Sequence, residues 1–205
     1  MDLTLRAVTT LKSLTLRTVR PVAAVLAAAG LLASGGVAEA STYSSEFEAG
    51  VISPWVLAND PGITNPSLAS VPGDNLCPSA GSFYGRLQAG PNFMPVSGMW
   101  MYSRYPVSSS STGSYTVKVD WAIKNKQNCS TCRAIAWIGN GWVSSSNSFT
   151  PVGSISSTGW SLYSQTVQVN NASVIGVALG WKGTADNAAL PTNVGIDCVR
   201  ITITP

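Results

Sequence analysis

The stretch "SYTVKVDWAIK", Ser114 to Lys124, decides how the rest of the chain is read. Tyr115, Val117, Val119, Trp121 and Ile123 fall on one side of an extended backbone, and Lys118, Asp120 and Lys124 on the other. Side chains of a strand alternate between faces with a period of two, so this segment has one buried face and one wet face. A helix would scatter the same apolar residues around its axis. Val, Ile, Tyr and Trp also pack well on a pleated surface.

Outward from this strand the pattern repeats. In "GSFYGRLQ" (Gly81 to Gln88), Phe83 and Leu87 alternate with Tyr84 and Arg86. "CRAIAWIG", "WSLYSQTVQV", "SVIGVALGW" and "VGIDCVRITIT" continue the series, separated by clusters of Gly, Pro, Ser and Asn. Nothing after Ala40 carries a helical period, and no internal repeat is visible. Many short strands punctuated by turns predict an all-β fold, an antiparallel β-sandwich. Two longer connections, Ala58 to Ser79 and Lys182 to Asn193, read as loops that are either functional or loosely ordered, placed where the rim of a binding face could be built.

The N-terminal residues follow a different rule. Arg6, Lys12, Arg17 and Arg20 precede the apolar run Val22 to Ala33, and Ala38-Glu39-Ala40 forms an A-x-A site. This order predicts a cleavable signal peptide over 1–40 and a single secreted domain over 41–205. The alternative is a retained anchor, but the run is well short of the roughly 20 residues that a spanning helix needs. No second such run follows, so no membrane insertion is expected after cleavage. The leader holds four of the 12 basic and two of the nine acidic residues, which leaves the remaining domain close to neutral. A nucleic-acid partner is not expected, because phosphate binding needs clustered Lys and Arg.

Four cysteines remain: Cys77, Cys129, Cys132 and Cys198. Export favours disulfides over free thiols or zinc. Cys129 and Cys132 look like a short loop closed on itself, leaving Cys77 for Cys198, which is one of three possible pairings. A redox CxxC would want a βαβ setting, and a zinc site a second close pair of cysteines. Neither is present.

Only 10% of the residues are charged, so the acids of "SEFEAG" (Ser45 to Gly50) stand out. Glu48 follows Phe47 directly, and in a regular strand the two point to opposite faces. Asp197 alternates with Val199, Ile201 and Ile203, which would place it on the core side. A buried carboxylate is costly unless paired, hydrogen-bonded or metal-bound. Glu48 and Asp197 could share one calcium ion, which prefers oxygen ligands. Equally, each acid could cap a turn or sit at a solvated margin.

"FEAG" followed by Trp55, then "SAGSFYGRLQ", "GSYTVKVDWAIK", "STGWSLYSQTVQV" and the closing "IDCV", resemble calcium-bearing jelly-roll carbohydrate-binding modules. The closest types are families four, nine and twenty-two, with a galactose-binding-domain-like fold. The likeness runs over nearly all of residues 41–205 in order. It implies a structural calcium held with the help of Glu48 and Asp197, a buried tryptophan at Trp160, and non-catalytic glycan binding. One position departs from the pattern. Cys198 stands where the family's second Asp would be, which removes a ligand and suits a disulfide there.

The chain contains no histidine, which excludes Ser-His-Asp and Cys-His catalysis and imidazole metal ligands. Its few acids are scattered, so no carboxylate pair of glycosidase type is evident. Seven tryptophans are the better lead. Sugar rings stack their C–H faces on flat aromatic surfaces, while hydroxyls need polar partners. Trp55, Trp121, Trp160 and Trp181 are assigned to packing. Trp100, Tyr102, Trp137 and Trp142 are the candidate sugar-stacking residues, with Arg133, Tyr84 and Arg86 as polar neighbours. The expected function is secreted, non-catalytic polysaccharide binding. The alternatives are an extracellular structural or adhesive sandwich without sugar binding and, behind it, a small polysaccharide hydrolase or lyase.

Overall fold

The computed structural model describes residues 40–205, apart from 46, 74–75, 78–82, 93–95 and 108–112. The expected leader, Ala40 aside, and Glu46 thus lie outside the described residues. The strands are β1 (Ser41–Ser45), β2 (Val56–Asn59), β3 (Ser67–Pro72), β4 (Phe83–Ala89), β5 (Ser97–Pro106), β6 (Tyr115–Gln127), β7 (Arg133–Asn140), β8 (Thr150–Ser154), β9 (Ser161–Val169), β10 (Val174–Gly183) and β11 (Thr192–Thr204). Among the described residues no helix is long and apolar enough to cross a membrane.

Two antiparallel sheets form a β-sandwich. One has six strands in the order β3-β4-β11-β6-β9, with β1 also paired to β11. β4 pairs with residues 192–196 of β11 and β1 with residues 199–203, so they follow one another along the same strand. The other sheet has five strands, β2-β5-β10-β7-β8.

The alternating residues meet between the sheets. Val117, Val119, Trp121 and Ile123 of β6 and Val194, Ile196 and Ile201 of β11 join Met99, Met101, Ala134, Ala136, Val177, Leu179 and Trp181 from the five-stranded sheet. Each large apolar side chain removed from water contributes about 1.5–3 kcal/mol before the entropy of ordering is subtracted. Phe47 joins this core, and its ring occupies the space where a side chain on Gly85 would stand, 2.7 Å from an ideal Cβ.

Three sequence expectations change here. Phe47 and Glu48 do not alternate in a strand. Phe47 takes a left-handed conformation with φ of 55°, and Glu48 opens a single 3-10 turn, Glu48–Gly50. The connection Ala58 to Ser79 is not one loop, because it contains β3, whose Ser67 to Pro72 pair with β4. Asp197 does not face the core. Cys198 has a positive φ of 54°, and the register of β11 against β6 shifts between Asp197 and Arg200. One extra residue inverts the in-out pattern of a strand. Val199, Ile201 and Ile203 therefore point inward, while Asp197 pairs with Ala122 on the outward side.

Disulfides join Cys77 to Cys198 and Cys129 to Cys132. The second long connection, beyond β10, is held by Asn128, whose amide donates to the carbonyls of Asn187 at 2.8 Å and Leu190 at 2.9 Å. Asp186 accepts from the Ser130 backbone N–H at 2.9 Å.

Candidate functional site

The outer face of the five-stranded sheet is a lattice of aligned positions. Across it, Ala58, Trp100, Gly180 and Ile135 form one row. Val56, Tyr102, Ala178 and Trp137 form the next, followed by Arg104, Gly176 and Gly139. β10 thus offers only Gly180, Ala178 and Gly176 between two columns of large side chains. This is why the aromatics can lie over the sheet rather than stand away from it. A Cβ on Gly176 would meet the Trp137 ring at 2.7 Å and the Gly141 carbonyl at 2.3 Å, so only glycine allows this approach.

The chain between β7 and β8 folds down onto this lattice. Trp100, Tyr102, Ile135, Val143, Phe149 and Ala178 make a second buried cluster, separate from the core between the sheets. The rings of Trp100 and Phe149 lie 4.9 Å apart. The Tyr102 hydroxyl donates to the Gly141 carbonyl at 2.6 Å, and burial raises the pKa of that hydroxyl despite the charge of Arg104 nearby. Asp60 ties the cover to the sheet edge. Its carboxylate accepts from the backbone N–H groups of Gly98 at 2.8 Å and Ser146 at 3.0 Å, and from the Ser146 hydroxyl. On the same segment, Lys182 donates to the Asn147 side chain at 2.8 Å.

Trp100 and Tyr102, expected to be exposed, are only 1% and 2% accessible. Strand alternation does place them on an outer face, but the segment above converts that face into a core. Trp137 is half-buried, and Trp142, at 53%, is the only one of the seven tryptophans in the exposed class. Its ring meets Tyr102 edge-on with centroids 4.2 Å apart. Arg133 is exposed and lines an open depression of about 330 Å³ with Thr131, Ile135, Pro151, Lys182 and Thr184. Arg133 and Trp137 are four strand residues apart, on the order of 13 Å along β7.

Tyr84 and Arg86 lie on the opposite side of the molecule, on the outer face of the six-stranded sheet. Trp160 is there too. Assigned to the core from its resemblance, it is half-buried and belongs to neither apolar cluster. Tyr84 and Trp160 meet edge-on at 6.0 Å, and the Lys126 ammonium lies 4.3 Å from the Tyr84 ring centre and 4.7 Å from that of Trp160. All three close over Gly195, where an added Cβ would stand 3.0 Å from each. Reading Trp160 as core missed this cluster. The available signal was its position just before β9, opposite the lysine-bearing end of β6.

The acids expected to hold calcium are arranged differently from a cation cage. Asp197 is 1% accessible and receives three backbone N–H groups: Leu76 at 2.7 Å, Cys77 at 3.2 Å and Cys198 at 2.8 Å. Converging N–H dipoles stabilise the carboxylate and would oppose a cation at the same oxygens. Cys77 and Cys198, the neighbouring candidate ligands, are joined in the disulfide. Among the described residues these groups do not fit a calcium site at Asp197. Glu48 lines a shallow surface depression with Ser44, Phe47 and Val51.

No protein-family model matches the chain, and no curated protein matches it. Among solved structures, similarity extends to the carbohydrate-binding module TmCBM61, described in complex with β-1,4-galactotriose, at 13% identity and a TM-score of 0.47, covering 76% of this chain and 92% of that one. The CBM22-1 xylan-binding domain of Paenibacillus barcinonensis Xyn10C aligns at 12% identity and a TM-score of 0.45, over 79% of this chain and 93% of its own. Tailspike protein 4 of bacteriophage CBA120 aligns at 14% identity and a TM-score of 0.49, and there the match spans only 20% of the larger chain.

Proposed function

We propose that the protein binds a glycan without transforming it, at the outer face of the five-stranded sheet beside the covering segment. The observation that carries this reading is the exposed Trp142 indole, braced edge-on by the buried Tyr102, whose row across the sheet also holds the half-buried Trp137. A braced aromatic loses little freedom on binding, and its flat face suits the C–H face of a pyranose. The depression at Arg133, Lys182, Thr131 and Thr184 supplies donors for sugar hydroxyls.

The described aspartates support binding rather than chemistry. Asp60, Asp186 and Asp197 each accept backbone N–H bonds, and Asp120 pairs with Lys118 at 3.0 Å. Carboxylates engaged in this way hold structure. The basic and apolar order of residues 1–40, read as an export signal, supports a role for such a module outside the cell.

Retention of the purified protein on cellulose, xylan, chitin and β-galactan tests the reading. Trp142→Ala should lower affinity for a retained glycan at least tenfold and leave the melting temperature within about 1 °C, since a surface substitution alters stability little. An intact protein that none of these glycans retains would instead favour an adhesive or structural sandwich.

A further inference from the structure

We propose that Arg104 makes the Trp142 face selective for acidic glycans, chains whose sugars carry a carboxylate, over neutral ones. This rests on the preceding reading of the face as a glycan site and adds the charge class of its ligand.

The sheet prepares the place. On the outer face, the row after Tyr102 holds Arg104, Gly176 and Gly139. Arg104 is exposed, and the two positions beside it carry no side chain. On its other side β2 pairs with β5 only as far as Tyr102. The Trp137 ring lies across the gap left by the glycines, for an ideal Cβ on either Gly139 or Gly176 would stand 2.7 Å from it. The indole thus reaches from β7 over β10, towards the strand that carries Arg104.

The chain after β7 closes on the same spot. The Gly141 carbonyl sits over Gly176 and is fixed by the Tyr102 hydroxyl at 2.6 Å. Trp142 follows directly, with its ring against that of Tyr102. The Arg104 charge is close enough to oppose the rise in the Tyr102 pKa. One guanidinium, one half-buried indole and one exposed indole therefore gather around a single glycine.

This guanidinium has no acid partner among the described residues. The described aspartates are engaged elsewhere: Asp120 with Lys118, Asp186 with Ser130, and Asp197 with the N–H groups of Leu76, Cys77 and Cys198. Asp60 binds the N–H of Gly98, six strand residues from Arg104 and on the order of 20 Å along β5. Residues 108–112, which follow β5 in the chain, are all Ser or Thr. The Asn140 amide at this end is committed as well, donating to the Asn171 carbonyl at 3.1 Å.

The ligand class follows from what is left unused. A planar guanidinium matches a carboxylate with two parallel hydrogen bonds, and these charge-assisted bonds are stronger than those to a hydroxyl. A pyranose stacks on an indole through its C–H face, and a uronate carboxylate projects from the edge of that ring. Stacking on Trp142 or Trp137 and pairing with Arg104 therefore suit one and the same sugar. A neutral sugar would use the indoles and leave the charge unanswered.

The test compares polygalacturonate and alginate with carboxyl-reduced forms of the same polymers, bound to the purified protein at low and moderate salt. Reduction turns each carboxylate into a hydroxymethyl group and keeps the linkages, so the ratio of the two affinities isolates the charge. For at least one polymer the wild-type protein should favour the acidic form by about tenfold, less so as salt rises. Arg104→Gln should bring that ratio to within about twofold of unity. Arg200→Gln, which removes one positive charge from the exposed surface of the opposite sheet, should leave the ratio as it is. Trp142→Ala should weaken both forms together. The inference is overturned if neither acidic polymer is preferred, if the preference survives Arg104→Gln, or if Arg200→Gln abolishes it equally. A neutral glycan retained with no gain from carboxylates would sink this inference alone. Retention of no glycan at all would sink the preceding reading with it.

Discussion

The two outer faces of this sandwich begin from the same strand rule and end differently. On the five-stranded sheet, the large aromatics stand beside a column of Gly and Ala, and the segment after β7 closes over them with Val143 and Phe149. On the six-stranded sheet, Tyr84 and Trp160 converge over Gly195 and enclose a lysine rather than an apolar roof. The first face has become a second core with one indole left outside. The second remains a polar surface with a fixed cation. What differs is the occupant above the small residues, and that occupant comes from a distant part of the chain.

The six-stranded side holds the tie whose loss should destabilise the molecule most. The Cys77–Cys198 disulfide spans 121 residues and anchors the segment that supplies N–H groups to Asp197. Replacing both cysteines by serine should cost about 4–5 kcal/mol on the loop-entropy estimate, seen as a fall in denaturation midpoint. A midpoint within 1 kcal/mol of wild type would show that this tie is dispensable.

Removing the roof of the other face should have the next largest effect. Phe149→Ala empties part of a buried cluster, which typically costs about 3–5 kcal/mol. Trp100 should then gain access to solvent, read as a red shift in tryptophan emission. Unchanged emission and stability would mean that the face is not roofed in solution.

Alkaline pH probes the core beneath. Burial, only partly offset by the nearby Ser103 hydroxyl and reinforced by Tyr43, pushes Tyr105 up to about 12. The neutral phenol is favoured in the folded state, so its contribution is fully present below the ordinary tyrosine value near 10 and is lost between about 10 and 12. That window should remove about 2–3 kcal/mol. Tyr105→Phe should flatten this decline when stability is followed against pH.

Asp60→Ala releases three hydrogen bonds between the cover and the sheet edge, for an expected loss of about 1–3 kcal/mol. If the cover opens locally, hydrogen exchange at residues 143–149 should accelerate before the rest of the fold loosens. The smallest expected effect is that of a calcium chelator. With Asp197 cradled by N–H groups, the melting temperature should not move, and a drop of several degrees would restore the case for a structural ion.

Much of the sandwich was legible in the chain because strand burial is a local property. The alternation in β6 and β10 predicted the inward Trp121 and Trp181, and both are buried. Asp197 was misread for an equally specific reason. Its alternation with Val199 and Ile201 is genuine in the sequence, but a positive φ at Cys198 inserts one residue and reverses the faces. The same alternation puts Trp100 and Tyr102 on one face of β5. No pattern within β5 reveals that residues more than 40 positions later will cover it.

The amino-acid sequence by itself thus determined the strand character, the two-faced segments and the absence of imidazole chemistry. Each follows from residue type and a period of two. The tertiary structure alone decided which outward aromatics remain available and which acids are already satisfied. Those outcomes depend on contacts between segments far apart in the chain: Phe149 on Trp100, Lys126 between Tyr84 and Trp160, and Leu76 on Asp197. Local propensity sets how a strand presents its side chains, but only the assembled fold determines what covers them.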